Sequence, residues 1–409
     1  MNAENDKTKN ANGQPIRVAL FIGGLEDGGS ANSIFQIAAH VGDERVSTHV
    51  VSCAEGVMTE RLAALTDDIT LLGTGWPPRM STLTNGRLKT RWRGRLGFIP
   101  WLLRTARRLA RYVKKRQIDI LHTNYVSFHL VAFLAGLRTG VPVIFHWRGI
   151  VRGRGQKLLC WLFHRILGRK AFSVANSQAT LDSIAGLVRG RGSVIYNCID
   201  EPVPDESTPD LRQMLGLDPG ARLVGLTGSL TPIKGHDVFL RAAAKVSCES
   251  THFVIIGDVT AAKQYTHPEA MKKLCTELGL DGRVSFLGFR ADAAALNGQM
   301  DVATVCTLPP GEGFGLVIIE AMAVATPVIS TDVGAAPEII DGPACGVLIP
   351  AGDPDRLAAE IDRLLTDEPL RRRIGQAGRE RFQAGFSQQK MCGELRSLYA
   401  DLADRDDGP

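Results

Sequence analysis

Leu308 to Ile340 reads LPPGEGFGLVIIEAMAVATPVISTDVGAAPEII. A Pro-Pro-Gly turn opens the stretch, and Gly311, Gly313 and Gly315 crowd around Glu312 and Phe314. The run Leu316 to Ala325 holds good helix formers at most places, and Pro327 ends it before the strand-like Val328-Ile329-Ser330. The order is loop, helix, turn, buried strand. Glycines ahead of a helix let backbone N–H groups approach a ligand closely, and the helix N-terminus favours negative charge, so a phosphate is the natural occupant. Glu320 shares a helix face with Leu316 and Val317 and lies about one turn beyond those amides, at about 1.5 Å rise per residue. A carboxylate there accepts two hydrogen bonds, which suits a pair of sugar hydroxyls. The bland alternative is a solvated loop glutamate and a helix glutamate with no ligand.

Outward from this stretch the chain alternates between strand and helix patterns. Ile16 to Ile22 is a continuous apolar run bounded by Pro15 and Gly23-Gly24, the signature of a buried parallel strand. Gly28-Gly29-Ser30 precedes a helical pattern at Ser33 to Val41. Strands are expected at Thr48 to Cys53, Ile69 to Leu72, Ile118 to His122, Val141 to Phe145, Phe172 to Ala175 and Ser193 to Tyr196. Gly73 to Gly86 reads as turns, and Phe98 to Gln117 as a basic helix. Asp200 to Pro209, with three prolines and four acids, is the strongest linker signal. A second alternating unit follows, with strands at Arg222 to Leu226, Val254 to Gly257, Val284 to Gly288, Val302 to Val305 and Val328 to Ser330. The expected class is α/β, two doubly wound, Rossmann-like domains facing across a cleft at their strand carboxyl ends. The divisions are a disordered tail at 1–14, a first domain at 15–200, a linker at 201–218, a second domain at 219–386 and a final helical segment at 387–409.

With 409 residues and 44% hydrophobic content, the chain is large enough for two or three packed cores. The first fifteen residues are polar and lack the apolar core of a secretory leader, and no apolar run reaches the ~18 residues needed to span a bilayer. The expected location is cytoplasmic. Eight cysteines are scattered without a C-x-x-C pair, so neither a disulfide frame nor a zinc site is expected. Charge is distributed unevenly. Between Asp68 and Asp182 there are 21 Lys and Arg and one acid, Asp119, a net of +20 that leaves −15 for the rest of a chain whose total is +5. Such polarity implies an anionic partner, nucleic acid or a membrane surface.

Glu312, seven residues, then Glu320, followed by Ala-Met-Ala and Thr-Pro-Val-Ile, closely resembles the E-x7-E motif of retaining glycosyltransferases of family GT4, which have the GT-B fold. The likeness runs over residues 16 to 400, and implies transfer of a sugar from a nucleotide-diphosphate sugar with no cofactor and no metal. It assigns Glu320 to the ribose hydroxyls and Glu312 to hydroxyls of the transferred sugar. The amides near Phe314, Gly315 and Leu316 would meet the diphosphate. Gly228 to His236 resembles the family's second phosphate motif: Lys234 matches its lysine, but Ser229 stands where an arginine is usual. Gly28 and Gly29 resemble the first glycine loop, and Arg290, after Phe286 to Phe289, is a candidate base or phosphate contact. At the end of the Val141 strand, Arg148 occupies the register where relatives carry a histidine that reaches the acceptor side. His146 lies two residues earlier, and residues two apart on a strand share a face. An arginine suits an acceptor phosphate, and a histidine either moves a proton or packs in the core. The implied catalytic set is Glu312, Lys234 and His146. Tyr196 to Asp200 resembles the family's Asn-Gly-Ile-Asp, with Cys198 in place of glycine. Finally the helix at Ser387 to Asp404 is implied to cross back onto the first domain.

Asp353 and Asp355 do not suggest a metal site: Asp at the N-cap and Pro354 at the first helical position account for them. In the basic region, Arg87 to Arg116 has twelve basic residues interleaved with Trp92, Phe98, Trp101, Leu102 and Leu103, and Gln156 to Lys170 adds Leu158, Leu159, Trp161, Leu162 and Phe163 among further basic residues. Basic faces beside Trp, Phe and Leu suit an anionic bilayer and a lipid-linked or cell-surface glycan acceptor. The alternatives are a nucleotide-sugar epimerase of the same fold and, from another class, a basic nucleic-acid-binding protein. No nucleic-acid module is legible, and aromatic residues make up only 6% of the chain.

Overall fold

The computed structural model describes residues 14–24, 28–78, 81–84, 87–90, 92–201, 208–258 and 267–404. The expected tail at 1–14 falls outside them except for Gln14, as do residues 202–207 of the expected linker. The chain divides into two compact units, Met1–Asn197 with Gln388–Pro409, and Cys198–Ser387.

In the first unit the strands are β1 (Ile16–Ile22), β2 (Val46–Ser52) and β3 (Ile69–Leu71), a hairpin of β4 (Ser81–Thr84) and β5 (Arg87–Thr90), then β6 (Ile120–Thr123), β7 (Val143–Trp147), β8 (Ala171–Ala175) and β9 (Gly192–Val194). The sheet order is β3-β2-β1-β6-β7-β8-β9, parallel throughout. Helices Trp92–Arg116, Val126–Thr139 and Arg154–Ile166 cover one face, where Trp101, Leu109, Val113, Val131 and Phe163 pack with Phe21, Leu121 and Phe145. Helices Gly28–His40 and Val57–Ala63 contribute Ile34, Met58 and Leu62 to a separate cluster with Ile22 and Val50. A sheet clothed on both faces explains why its strands read as unbroken apolar runs.

The final helix, Gln388–Asp404, packs on β1, β6 and the helix Gly28–His40. Arg396 donates to the carbonyls of His40 and Val41 at 2.9 and 3.0 Å and pairs with Asp43 at 3.0 Å. It thereby satisfies carbonyls that the end of the Gly28–His40 helix leaves without intrahelical donors.

The second unit holds β10 (Arg222–Thr227), β11 (Thr251–Ile256), β12 (Val284–Phe286), β13 (Val302–Val305), β14 (Val328–Thr331) and β15 (Val347–Ile349), ordered β12-β11-β10-β13-β14-β15, again all parallel. Both sheets are Rossmann-like.

Several of the expected elements differ from those observed. Gly73 to Gly86 is not only turns, because Ser81–Thr84 pairs antiparallel with Arg87–Thr90. The basic helix starts at Trp92 rather than Phe98 and carries Pro100 in its interior, on an exposed position. Inside the span expected to be a linker, Leu211–Met214 forms a helix capped by Asp210, whose side chain accepts from the Gln213 N–H, and Leu211 is buried.

Asp301 ties this short helix to the sheet. Its carboxylate accepts from Arg212 at 2.9 Å, Arg222 at 3.0 Å and the Leu223 N–H at 2.9 Å, with Arg371 at 3.4 Å. Removing a buried carboxylate strands the cations around it. Asp301→Ala should destabilise the second unit by about 3 kcal/mol, the low end for a buried pair because Arg212 and Arg222 keep some water. Chemical denaturation followed by far-UV circular dichroism checks this, and an unchanged midpoint would remove the network from the account of stability.

Candidate active site

In the second unit the site is assembled by backbone contact. After β10 the chain turns through Gly228 and Ser229 into a 3-10 turn at Pro232–Lys234, and Gly235, at φ 67°, leads into the helix His236–Ala243. A Cβ on Gly235 would stand 2.0 Å from the carbonyl oxygen of Cys306, just after β13, so only glycine fits. On the other side, Gly334 at φ 61° lies under the glycine loop, and a Cβ there would be 2.3 Å from the carbonyl oxygen of Glu312. These approaches fix Lys234 and Glu312 as an ion pair, both side chains mostly buried.

Gly315, at φ 111°, caps the helix Leu316–Ala323. The helix stops two residues short of its expected end, and Ala325 takes a left-handed conformation where Gly375 of the helix Glu368–Gly385 lies against its carbonyl. The first N–H groups of a helix lack acceptors one turn back; here that of Ile318 bonds the Gly315 carbonyl at 3.0 Å, and those of Leu316 and Val317 follow the glycine loop. Phe314 is an anchor: its ring is buried edge-to-face against Phe386 at 5.8 Å.

Glu320 keeps some exposed surface, yet burial pushes its carboxyl up to about 7, with the ammonium of Lys234 pulling the other way. Lys234 therefore faces both glutamates of the motif. Ser229, in the same turn, brings no charge of its own to replace the usual arginine. Arg290 is held by Asp292 through two bonds, at 2.8 and 2.5 Å, which raises the guanidinium's proton affinity further.

The remaining candidates belong to the first unit. Gly28 and Gly29 open the helix Gly28–His40. Arg148, just beyond β7, is half-buried and donates to the side-chain oxygens of Asn197 at 2.6 Å and Asn124 at 2.7 Å. His146 is buried, its Nδ1 3.0 Å from Nε2 of His122, whose Nδ1 is 2.7 Å from the hydroxyl of Tyr399. Burial and then the charge of Arg148 lower His146 well below the ordinary histidine range and His122 to about 3, so both rings are neutral. Asn124, His122 and Tyr399 escaped the sequence reading. Asn124 lay two residues past an expected strand end, which is a usable signal, whereas nothing local marks Tyr399. Asp353 caps its helix by accepting from the Arg356 N–H at 2.9 Å, and no metal-ligating cluster occurs among the described residues.

Two Rossmann-like sheets, with a glycine-flanked glutamate and a lysine gathered at one helix start, define a GT-B glycosyltransferase. Residues 28–201 match the profile of Glycosyltransferase Family 4 and residues 207–381 that of Glycosyl transferases group 1, and the chain belongs to this glycosyltransferase family. It is 28% identical to the N-acetyl-alpha-D-glucosaminyl L-malate synthase of Bacillus anthracis, over 75% of this chain and 81% of that protein. It is also 28% identical to the D-inositol 3-phosphate glycosyltransferase of Stackebrandtia nassauensis, over 70% and 69%. Among solved structures it is similar to Anabaena HepE in complex with UDP and glucose, with a TM-score of 0.75 and 23% identity over 94% of this chain and 99% of that one. A glycosyltransferase from Rickettsia africae gives a TM-score of 0.79 at 20% identity over 95% and 98%. At those identities the structures share the fold.

The raised proton affinity of Glu320 links stability to pH. Well below the ordinary glutamate value both folded and unfolded states carry the proton and nothing is lost. As pH rises from that value towards about 7, the unfolded chain gives up its proton first, so the native state loses stability relative to it. Glu320→Gln has no proton to lose. Its stability relative to wild type should rise between about pH 5 and about pH 8, measured as urea midpoints of the ligand-free proteins; a constant difference would contradict the burial of this carboxyl.

Proposed function

We propose that this glycosyltransferase moves a sugar, with retained anomeric configuration, from a nucleotide-diphosphate donor to a lipid-linked or cell-surface glycan acceptor at an anionic membrane. The observation that carries the donor half is the Lys234–Glu312 pair beside Glu320 at the start of the helix Leu316–Ala323. An incoming diphosphate competes with Glu312 for the ammonium and meets the first-turn amides, which stabilise the charge that develops on the leaving group. Glu312, released, accepts from hydroxyls of the transferred sugar, and Glu320 accepts from the ribose. Ser229 adds at most one neutral hydrogen bond, so Lys234 carries more of the phosphate charge than it would beside an arginine. Arg290 lies beyond the end of β12 as the base-side contact, and Gly28 and Gly29, which open the helix Gly28–His40, are the first unit's candidate for close backbone approach to a ligand. The complexes of Anabaena HepE with UDP and with UDP-glucose support a nucleotide-diphosphate donor.

Support for the membrane comes from the sorting of the basic helices. Leu96 and Ile99 are 77% and 62% exposed on a helix that also exposes Arg104, Arg107 and Arg111. Leu158, Trp161 and Ile166 are exposed on Arg154–Ile166 beside Lys157 and Arg165. No helix among the described residues is long and apolar enough to cross a membrane; the exposed basic and apolar faces fit attachment at the surface. A second reading, a small anionic acceptor, is favoured by Arg148 and by the relatives named for L-malate and D-inositol 3-phosphate.

Labelled nucleotide sugars incubated with the protein, with and without membrane lipid extract, separate these readings. Transfer that needs the extract supports the lipid acceptor. Donor epimerised without an acceptor supports the epimerase alternative. Lys234→Ala should lower turnover more than about a hundredfold, the scale of removing one electrostatic stabiliser from a dry site, and retention of a third of wild-type turnover at saturating donor would move the leaving-group charge elsewhere. Glu320→Gln should weaken donor binding by about 1.5 to 3 kcal/mol. In flotation, wild type should rise with anionic vesicles and not with neutral ones, and glutamate at Arg104, Arg107, Arg108 and Arg111 should abolish this. Wild type left at the bottom with anionic vesicles at low salt ends the membrane reading.

A further inference from the structure

We propose that Tyr399, acting through His122, fixes His146 as a hydrogen-bond donor at Nε2, and that this donor joins Asn124 and Arg148 in a binding point for an anionic oxygen of the substrate, phosphate or carboxylate. Tyr399 and His122 are then positioning residues that touch no substrate. This deepens the acceptor side of the reading above and rests on it only for the identity of the ligand.

The relay begins at the phenol. Tyr399 is fully buried, and its hydroxyl has one hydrogen-bond partner among the described residues, Nδ1 of His122. If the hydroxyl only accepted, its proton would be left in the core without an acceptor, a cost of about 1 to 3 kcal/mol. The O–H therefore donates. His122 is neutral, so with Nδ1 accepting, its proton is on Nε2. That N–H is directed at Nδ1 of His146 at 3.0 Å, with the ring planes 16° from parallel. His146 is also neutral and accepts at Nδ1, so its own proton must be on Nε2. One phenol thus sets two tautomers.

The relay ends unfinished. Nε2 of His146 is buried without a hydrogen-bond partner among the described residues. So is Nδ2 of Asn124: Arg148 claims the Asn124 side-chain oxygen, which leaves its amide N–H groups without an acceptor. The pairings repeat along the strands. His122 bonds His146 diagonally across β6 and β7, and two residues further on Asn124 bonds Arg148 in the same sense. The outer rung presents a guanidinium and an amide N–H, the inner rung an imidazole N–H. Every group is a donor, which selects an oxygen ligand and favours a negative one. A buried imidazole that resists protonation, with its proton already committed to donation, does not act as a proton shuttle, so His146 contributes by hydrogen bonding.

The test uses full-length protein labelled with 15N at histidine, with His146→Gln and His122→Gln to assign the ring signals. At neutral pH both rings of wild type should show a protonated Nε2 and a bare Nδ1. Tyr399→Phe keeps the ring and removes the donor, and should give either histidine a population protonated at Nδ1. Inorganic phosphate should shift the Nε2 signal of His146 in wild type and not in Arg148→Ala. Nδ1-protonated His146 in wild type overturns the proposal, as do tautomers unmoved in a folded Tyr399→Phe or an Nε2 signal indifferent to phosphate. If Tyr399→Phe does not fold, the wild-type tautomers decide alone. None of these signals depends on sugar transfer, so failure here leaves the transfer reading standing, and failure to detect transfer leaves this one standing.

Discussion

The backbone of Gly235 rests against the carbonyl of Cys306 with no room for a side chain, and the second unit's site depends on that contact. It brings the turn after β10 against the end of β13, which places Lys234 where Glu312 meets it. Gly334 does the same work for the glycine loop from the side of β14. Charges are located here by main chain on main chain, in a part of the protein where side-chain packing has little play. A methyl group at either glycine would shift a charged partner without changing any charge.

Burial acts in opposite directions on Glu320 and on the paired histidines, keeping the histidines neutral and bringing the Glu320 carboxyl into the neutral pH range. It raises Glu320 to about 7 and lowers His122 to about 3, each time by disfavouring the ionised form. The neighbouring cation then matters differently. Lys234 draws Glu320 back towards ionisation, which suits the hydroxyl-accepting role proposed for it. Arg148 drives the histidines further from protonation, which suits groups that transmit a hydrogen-bond direction. The same chemical logic separates a carboxylate drawn towards ionisation by its lysine from imidazoles that burial keeps neutral and their arginine holds further from protonation.

Much of this was legible in the chain. The glycine loop, the helix behind it and the strand after Pro327 were readable because turn chemistry, helix propensity and apolar runs agree locally. Asp353 before Pro354 announced its cap for the same reason. The hairpin Ser81–Thr84 and Arg87–Thr90 was missed because its polar strands lack apolar alternation, and Val347–Ile349 was missed although it is apolar. At the sites, Lys234, Glu312 and Glu320 stood out through spacing within one unit. Tyr399 and His122 are 277 residues apart, and their meeting follows from where the last helix docks, which no local pattern records. Asn124 and Asn197 look like ordinary strand-end residues until Arg148 is placed between their oxygens.

The first unit takes its sheet from residues before Asn197 and its closing helix from Gln388 onward. On the ribosome its fold therefore stays incomplete until the second unit has been made: the His40 and Val41 carbonyls wait for Arg396, and His122 waits for Tyr399. The same discontinuity governs recombination between relatives. A chimera joined only near Cys198 pairs one parent's sheet with the other parent's last helix, and so mixes ancestries inside a single hydrophobic core. A clean exchange needs two crossovers, with the second close to Ser387.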